Sequence, residues 1–185
     1  MKKILFFILA IIFILGFTIG IKGISVKAEN EIMVYIDIKP GACPNYLNIN
    51  SRGFVQIAVL GTQNFDVATI DPTEIELRRV GINGEEVKPV RWVYEDVATP
   101  LYMKEDPCDC HVLGGDGYVD LVFKFDAREL IDTLNLTELV GETIPLTLTG
   151  ELREIEGEEE YDIRGQDCIL VIDQHPGTMG NPGSK

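Results

Sequence analysis

The chain has 185 residues, with 30 acidic against 16 basic side chains and a formal net charge of −14. A surface of that sign repels nucleic acid and anionic membranes and attracts divalent cations, which excludes nucleic-acid partners and leaves two readings, a cation-related role or simple solubility. One domain with a sizeable core accounts for the length.

Lys2-Lys3 precede an apolar run over residues 4–21, and Val26-Lys27-Ala28 places short residues where a signal peptidase reads. Residues 1–28 are therefore predicted to be a secretory signal cut before Glu29. Left uncleaved, the run is long enough to anchor the chain, the only membrane association expected. Cleavage removes four lysines and no acid, leaving 12 basic side chains against all 30 acids, a net charge of about −18.

Ile32, Val34, Ile36 and Ile38 alternate with Met33, Tyr35 and Asp37, the period of a strand with one buried face, and Pro40-Gly41 ends the run. Residues 54–60 are apolar except for Gln56, as in a central strand. Residues 73–80 and 87–94 flank Ile82-Asn83-Gly84, a hairpin signal. Further strands are expected at 121–125, 144–152 and 168–172, with a weaker one at 161–163. The single helical segment is 127–134, where Leu130, Ile131 and Leu134 share a face and Asp126 can cap the start. The expected architecture is an all-β, antiparallel β-sandwich, Ig-like or jelly-roll-like, with one short helix. It spans residues 29–172, followed by a disordered tail at 173–185.

Cys43, Cys108, Cys110 and Cys168 are even in number and follow the expected signal, so they read as two disulfides. The preferred arrangement ties Cys43 and Cys168 separately to Cys108 and Cys110, because a direct Cys108–Cys110 bridge would close a strained ring. The alternative is a zinc or copper site at Cys108, Cys110 and His111.

Asp116-Gly117-Tyr118-Val119-Asp120 sets two carboxylates around a glycine just before an apolar strand, as in the second half of a calcium loop. There the carboxylates and the Tyr118 carbonyl would coordinate the ion while glycine permits the turn. Glu95-Asp96 is the nearest acidic pair upstream, separated from this half by an insertion that holds Cys108, Cys110 and His111. Ca2+ is the expected cofactor, with Asp96, Asp116, Asp120, Glu95 and Tyr118 as the candidate ligands. The competing reading is a turn in which Asp120 faces solvent.

Several segments together resemble an uncharacterised domain of secreted and surface proteins in bacteria and archaea. They are Ile36-Asp37-Ile38-Lys39-Pro40-Gly41 with Pro44-Asn45 and Leu47-Asn48; residues 55–61; Phe65-Asp66-Val67 with Ile70-Asp71-Pro72; Glu95-Asp96-Val97; Asp116-Gly117-Tyr118 with Asp120-Leu121; and Leu146-Thr147-Leu148-Thr149-Gly150. The resemblance implies a compact acidic loop with Asp96, Asp116 and Asp120 in its first, fifth and ninth positions. Residues 98–115 interrupt that loop here, and its usual third ligand has no equivalent. The resemblance implies no enzymatic activity.

Asp37, Asp66 and Asp71 read as turn and cap residues near strand ends. Trp92 and Tyr94 share a strand face with Val90, which favours core packing over a sugar-stacking platform. A hydrolase has little to recruit: Ser51 and His111 make a poor triad, although paired carboxylates acting on polysaccharide remain an alternative. Asn135-Leu136-Thr137 fits a glycosylation sequon, a pattern short enough to occur by chance. The expected function is a secreted or cell-surface, non-enzymatic module that binds an extracellular partner, with a glycan or a surface protein as the candidates.

Overall fold

The alternation from Ile32 to Ile38 is unbroken in sequence, yet the chain changes sheets in the middle of it. The computed structural model describes residues 30–81, 85–104, 106, 108–153 and 161–174. The expected signal, the Asn83-Gly84 turn and the expected tail beyond Gln174, with His175, lie outside the described residues.

Strand β1 (Asn30–Met33) and strand β2 (Ile36–Ile38) replace the single strand expected there. They are followed by β3 (Tyr46–Asn48), β4 (Phe54–Val59), β5 (Ile70–Arg79), β6 (Glu86–Val87), β7 (Arg91–Glu95) and β8 (Asp120–Asp126). Helix α1 (Ala127–Thr133), β9 (Thr143–Leu152) and β10 (Tyr161–Ile172) complete the order. One sheet runs β1-β10-β9-β5-β6, with β3 also paired to β10; the other runs β2-β4-β8-β7. This is the all-β sandwich expected, with β4 central as its apolarity suggests. The departure is that β1 and β3 both lie parallel to β10.

Because β9 occupies one side of β10, β1 and β3 share its other side, pairing with Tyr161 to Arg164 and Leu170 to Ile172 respectively. Between them the chain detours through β2 into the opposite sheet. The crossing is close: a Cβ on Gly165 would come within 2.5 Å of Ile36 Cγ2, so only glycine lets the two segments pass without a shift. The expected strand at 87–94 is also two strands in different sheets, separated by Pro89, which cannot donate to a ladder.

The core lies between the sheets. Ile38, Ile57, Leu121, Phe123 and Phe125 meet Ile75, Leu77, Leu146, Leu148 and Ile169, all fully buried. Helix α1 adds Leu130, Ile131 and Leu134, and the Asp126 side chain accepts from Arg128 N and Glu129 N as its sequence position suggests. A smaller cluster of Ala58, Leu60, Val122 and Ala98 forms on the outer face of the four-stranded sheet. That outer face is covered by the start of the insertion between β7 and β8.

Candidate functional site at the sheet crossover

The insertion is fastened at two points. Cys43, after β2, bonds Cys110, and Cys168, within β10, bonds Cys108, with Cα–Cα separations of 5.5 and 5.0 Å. This is one of the two pairings that the arrangement preferred from sequence allows, and among the described residues no cysteine is free. The transition-metal reading is thereby corrected: thiolate ligands at Cys108 and Cys110 are consumed by disulfides, and His111 Nδ1 accepts from Leu113 N at 3.2 Å. The loop's own acids shape the cysteine turn, with Asp106 Oδ1 accepting from Cys108 N and Asp109 Oδ2 from Asp106 N. Thr99 Oγ1 donates to Gly114 O at 2.7 Å and closes the base of the insertion.

Under this cap lies a small cavity of about 60 Å³, bordered by Asp37, Lys104, His111 and Asp167 among others. Asp37 points to the outer face of β2, as alternation requires, but the insertion covers that face and leaves the residue only 8% exposed. The expectation of an Asp37 turn or cap residue is corrected for that reason. Its Oδ2 is buried without a hydrogen-bond partner among the described residues. Burial, and then the charge of Asp167, push its pKa up to about 7, with Lys104 acting in the opposite direction.

Asp167 takes an inward position of β10 in the series Ile163, Gly165, Asp167, Ile169. Its Oδ2 accepts from Ile38 N at 2.8 Å and Asn45 Nδ2 at 3.2 Å, while Lys104 Nζ lies 3.5 Å from Oδ1. Burial raises its pKa as well, against those donors. The cluster therefore occupies the stretch of β10 that neither β1 nor β3 pairs, and Asp167 does there what a strand would do, accepting the amide of β2. Sequence reasoning missed it because the expected strand began at Cys168. The signal was an Asp in an inward place of an alternating run.

The predicted acidic loop is partly assembled. Asp96 Oδ1 and Oδ2 accept from Asp116 N (2.9 Å) and Gly117 N (2.8 Å), and Asp116 Oδ1 accepts from Tyr118 N, with Gly117 in the left-handed region at φ 98°. Both halves of the loop thus meet across the insertion. Asp120 is fully buried, which corrects the solvent-facing turn reading. Its Oδ1 accepts from Gly61 N and its Oδ2 from Val97 N and Ala98 N, at 2.8–3.1 Å. Burial raises its pKa while these amides lower it. Asp96, Asp116, Tyr118 and Glu95 are exposed, with both Asp96 carboxylate oxygens engaged by amides, whereas Asp120 is buried and taken up by three amides. Among the described residues, no three His, Cys, Asp or Glu side chains group as a metal shell.

Asp66 is a cap residue as expected, accepting from Ala68 N, whereas Asp71 lies inside β5 opposite Glu151, its side chain accepting from Thr73 N. Trp92 and Tyr94 are not core. Their cross-strand partners Phe123 and Leu121 are buried, but at this sheet edge both rings stay 41% exposed, and Val90 is exposed too. For polysaccharide cleavage by paired carboxylates, Asp37 and Asp167 are the enclosed pair. Their cavity has room for a few waters and none for a sugar ring.

No family model matches the chain, and no curated protein does. Among solved structures, a match is AggA, the major subunit of aggregative adherence fimbriae type I from Escherichia coli, at 12% identity over 75% of this chain and 93% of that one, with a TM-score of 0.30. A likeness that distant carries no argument, and what this chain is follows from its own pairing and bonding: a two-sheet β-sandwich whose crossover is capped by a doubly disulfide-bonded insertion.

Proposed function

We propose that the chain is an exported, non-enzymatic module of the cell surface or extracellular space, and that its capped end is the binding surface. The observation that carries this reading is the insertion itself. Two disulfides hold it to the loop after β2 and to β10, yet it keeps Tyr102, Met103, Val112 and Leu113 exposed, Met103 at 88%. A rigid loop that holds apolar side chains in water suits recognition, since contact surface is presented with little entropy left to lose on binding. The partner is a surface protein or a glycan.

The test is binding to intact cells and to arrayed extracellular glycans, using wild-type protein and the Met103→Ser/Leu113→Ser double variant. The expected result is a loss of at least tenfold in affinity for the variant, with an unchanged melting temperature. Turnover of any glycan, abolished by Asp167→Asn, would sink the non-enzymatic reading. Export is checked by sequencing the N-terminus of protein recovered outside the cell, with Glu29 expected first.

A calcium ion at the Asp96 to Asp120 turn is a second reading, favoured by the way Asp96 closes on the amides of Asp116 and Gly117. Chelator and excess calcium should then give melting temperatures that differ, and Asp116→Asn should erase the difference.

A further inference from the structure

The sheet edges are guarded unequally. Strand β6 has two residues and β3 three; β2 is buried throughout; and β1 is four residues long and carries the Glu31–Arg164 ion pair at 3.0 Å. Among the described residues strand β7 is the exception: all five of its residues are exposed, and it has a ladder with β8 alone. Edge strands left bare are normally blunted by an internal lysine, a proline or a bulge. Between its terminal charges β7 has only Trp92, Val93 and Tyr94.

We propose that this edge pairs with the same edge of a second copy, antiparallel, about a two-fold axis through Val93. Arg91-Trp92-Val93-Tyr94-Glu95 is complementary to itself in that register. Arg91 falls opposite the partner's Glu95 and Glu95 opposite its Arg91, while each Trp92 meets a Tyr94. Directly opposed residues share a sheet face, so the two sets separate cleanly. The aromatic pairs continue the inner row set by Phe123 and Leu121, and the ion pairs flank Val93 on the outer face, where Arg91 already lies 4.7 Å from the centre of the Phe54 ring. The shared patch carries one positive and one negative charge per copy. It is therefore neutral in a chain of net charge −14, and close approach there meets no local repulsion. Pairing joins two four-stranded sheets into one of eight, with the same patch used by both partners, as two-fold symmetry requires.

Charge reversal tests the register. Arg91→Glu and Glu95→Arg each place like charges opposite one another, and each is expected to weaken self-association by about tenfold or more in sedimentation equilibrium. An equimolar mixture of the two variants restores the opposite-charge pairs and should associate as the wild type does, which also shows that both variants are folded. A wild type that remains monomeric across the concentration series overturns the proposal and leaves the edge to a strand from a different protein. Single variants that associate as tightly as wild type, or a mixture that does not recover, overturn it as well.

Discussion

Asp120 and Asp37 both project from the outer face of the four-stranded sheet, on β8 and β2, and both are roofed by the same insertion. Asp120 receives three backbone amides, from Gly61, Val97 and Ala98, so its burial is matched by hydrogen bonds that favour the carboxylate. Asp37 has an oxygen with no such donor and faces a second carboxyl, Asp167. One roof therefore creates a structural clamp at one end and a strained carboxyl at the other. Burial alone does not decide what an acid contributes; the amides aimed at it do.

The comparison breaks first if the roof is removed. Replacing Cys43 and Cys110 together with serine, or reducing the protein, should cost about 4 kcal/mol per bridge in denaturant unfolding, because each closes a loop of 60 or more residues. The Asp37 pKa should then fall toward the ordinary carboxylate range, read by carboxyl NMR titration. Asp120→Ala comes next: three amides lose their acceptor, and a loss of about 3 kcal/mol is expected in the same measurement.

Asp37→Asn should act in the opposite direction, stabilising by on the order of 2 kcal/mol at pH 8 and negligibly at pH 4. The sign follows from linkage. Between its unfolded value near 3.8 and its folded value of about 7, the native state holds a proton that the unfolded state has released, so wild-type stability falls as pH rises through that window. Melting curves at several pH values should show this slope in the wild type and a flatter one in the variant. The smallest effect is Asp96→Ala, about 1 kcal/mol, with faster hydrogen exchange at the Asp116 and Gly117 amides while the Gly61 amide is unchanged.

Much of this architecture is legible in local pattern. Apolar runs mark β4, β8 and β9, Asp126 marks the start of α1, and the strain of a direct Cys108–Cys110 bridge leaves two pairings, of which the structure has one. The remainder depends on contacts between distant segments. Alternation continues smoothly through Val34 and Tyr35, so nothing local announces the change of sheet. Asp37 alternates outward correctly, but no local rule shows that a loop beginning sixty residues later will cover it. Trp92 and Tyr94 stand on the face their spacing gives them, at a sheet edge where that face remains open to solvent. At the acidic turn, sequence brought Asp96 to Asp116 and Gly117, and missed that Asp120 is buried on the outer sheet face against the amides of Gly61, Val97 and Ala98.

The parallel pairing of β1 with β10 has a mechanical consequence. Their four register pairs run from Asn30 with Tyr161 to Met33 with Arg164, so the start of β1 and the end of β10 lie at opposite ends of the ladder. Tension applied between those two points pulls along both strands in opposite directions and loads all the inter-strand bonds at once, in shear, instead of unzipping them one by one. A module tethered by its ends would resist extension there through its rate of forced rupture, which shear geometry slows.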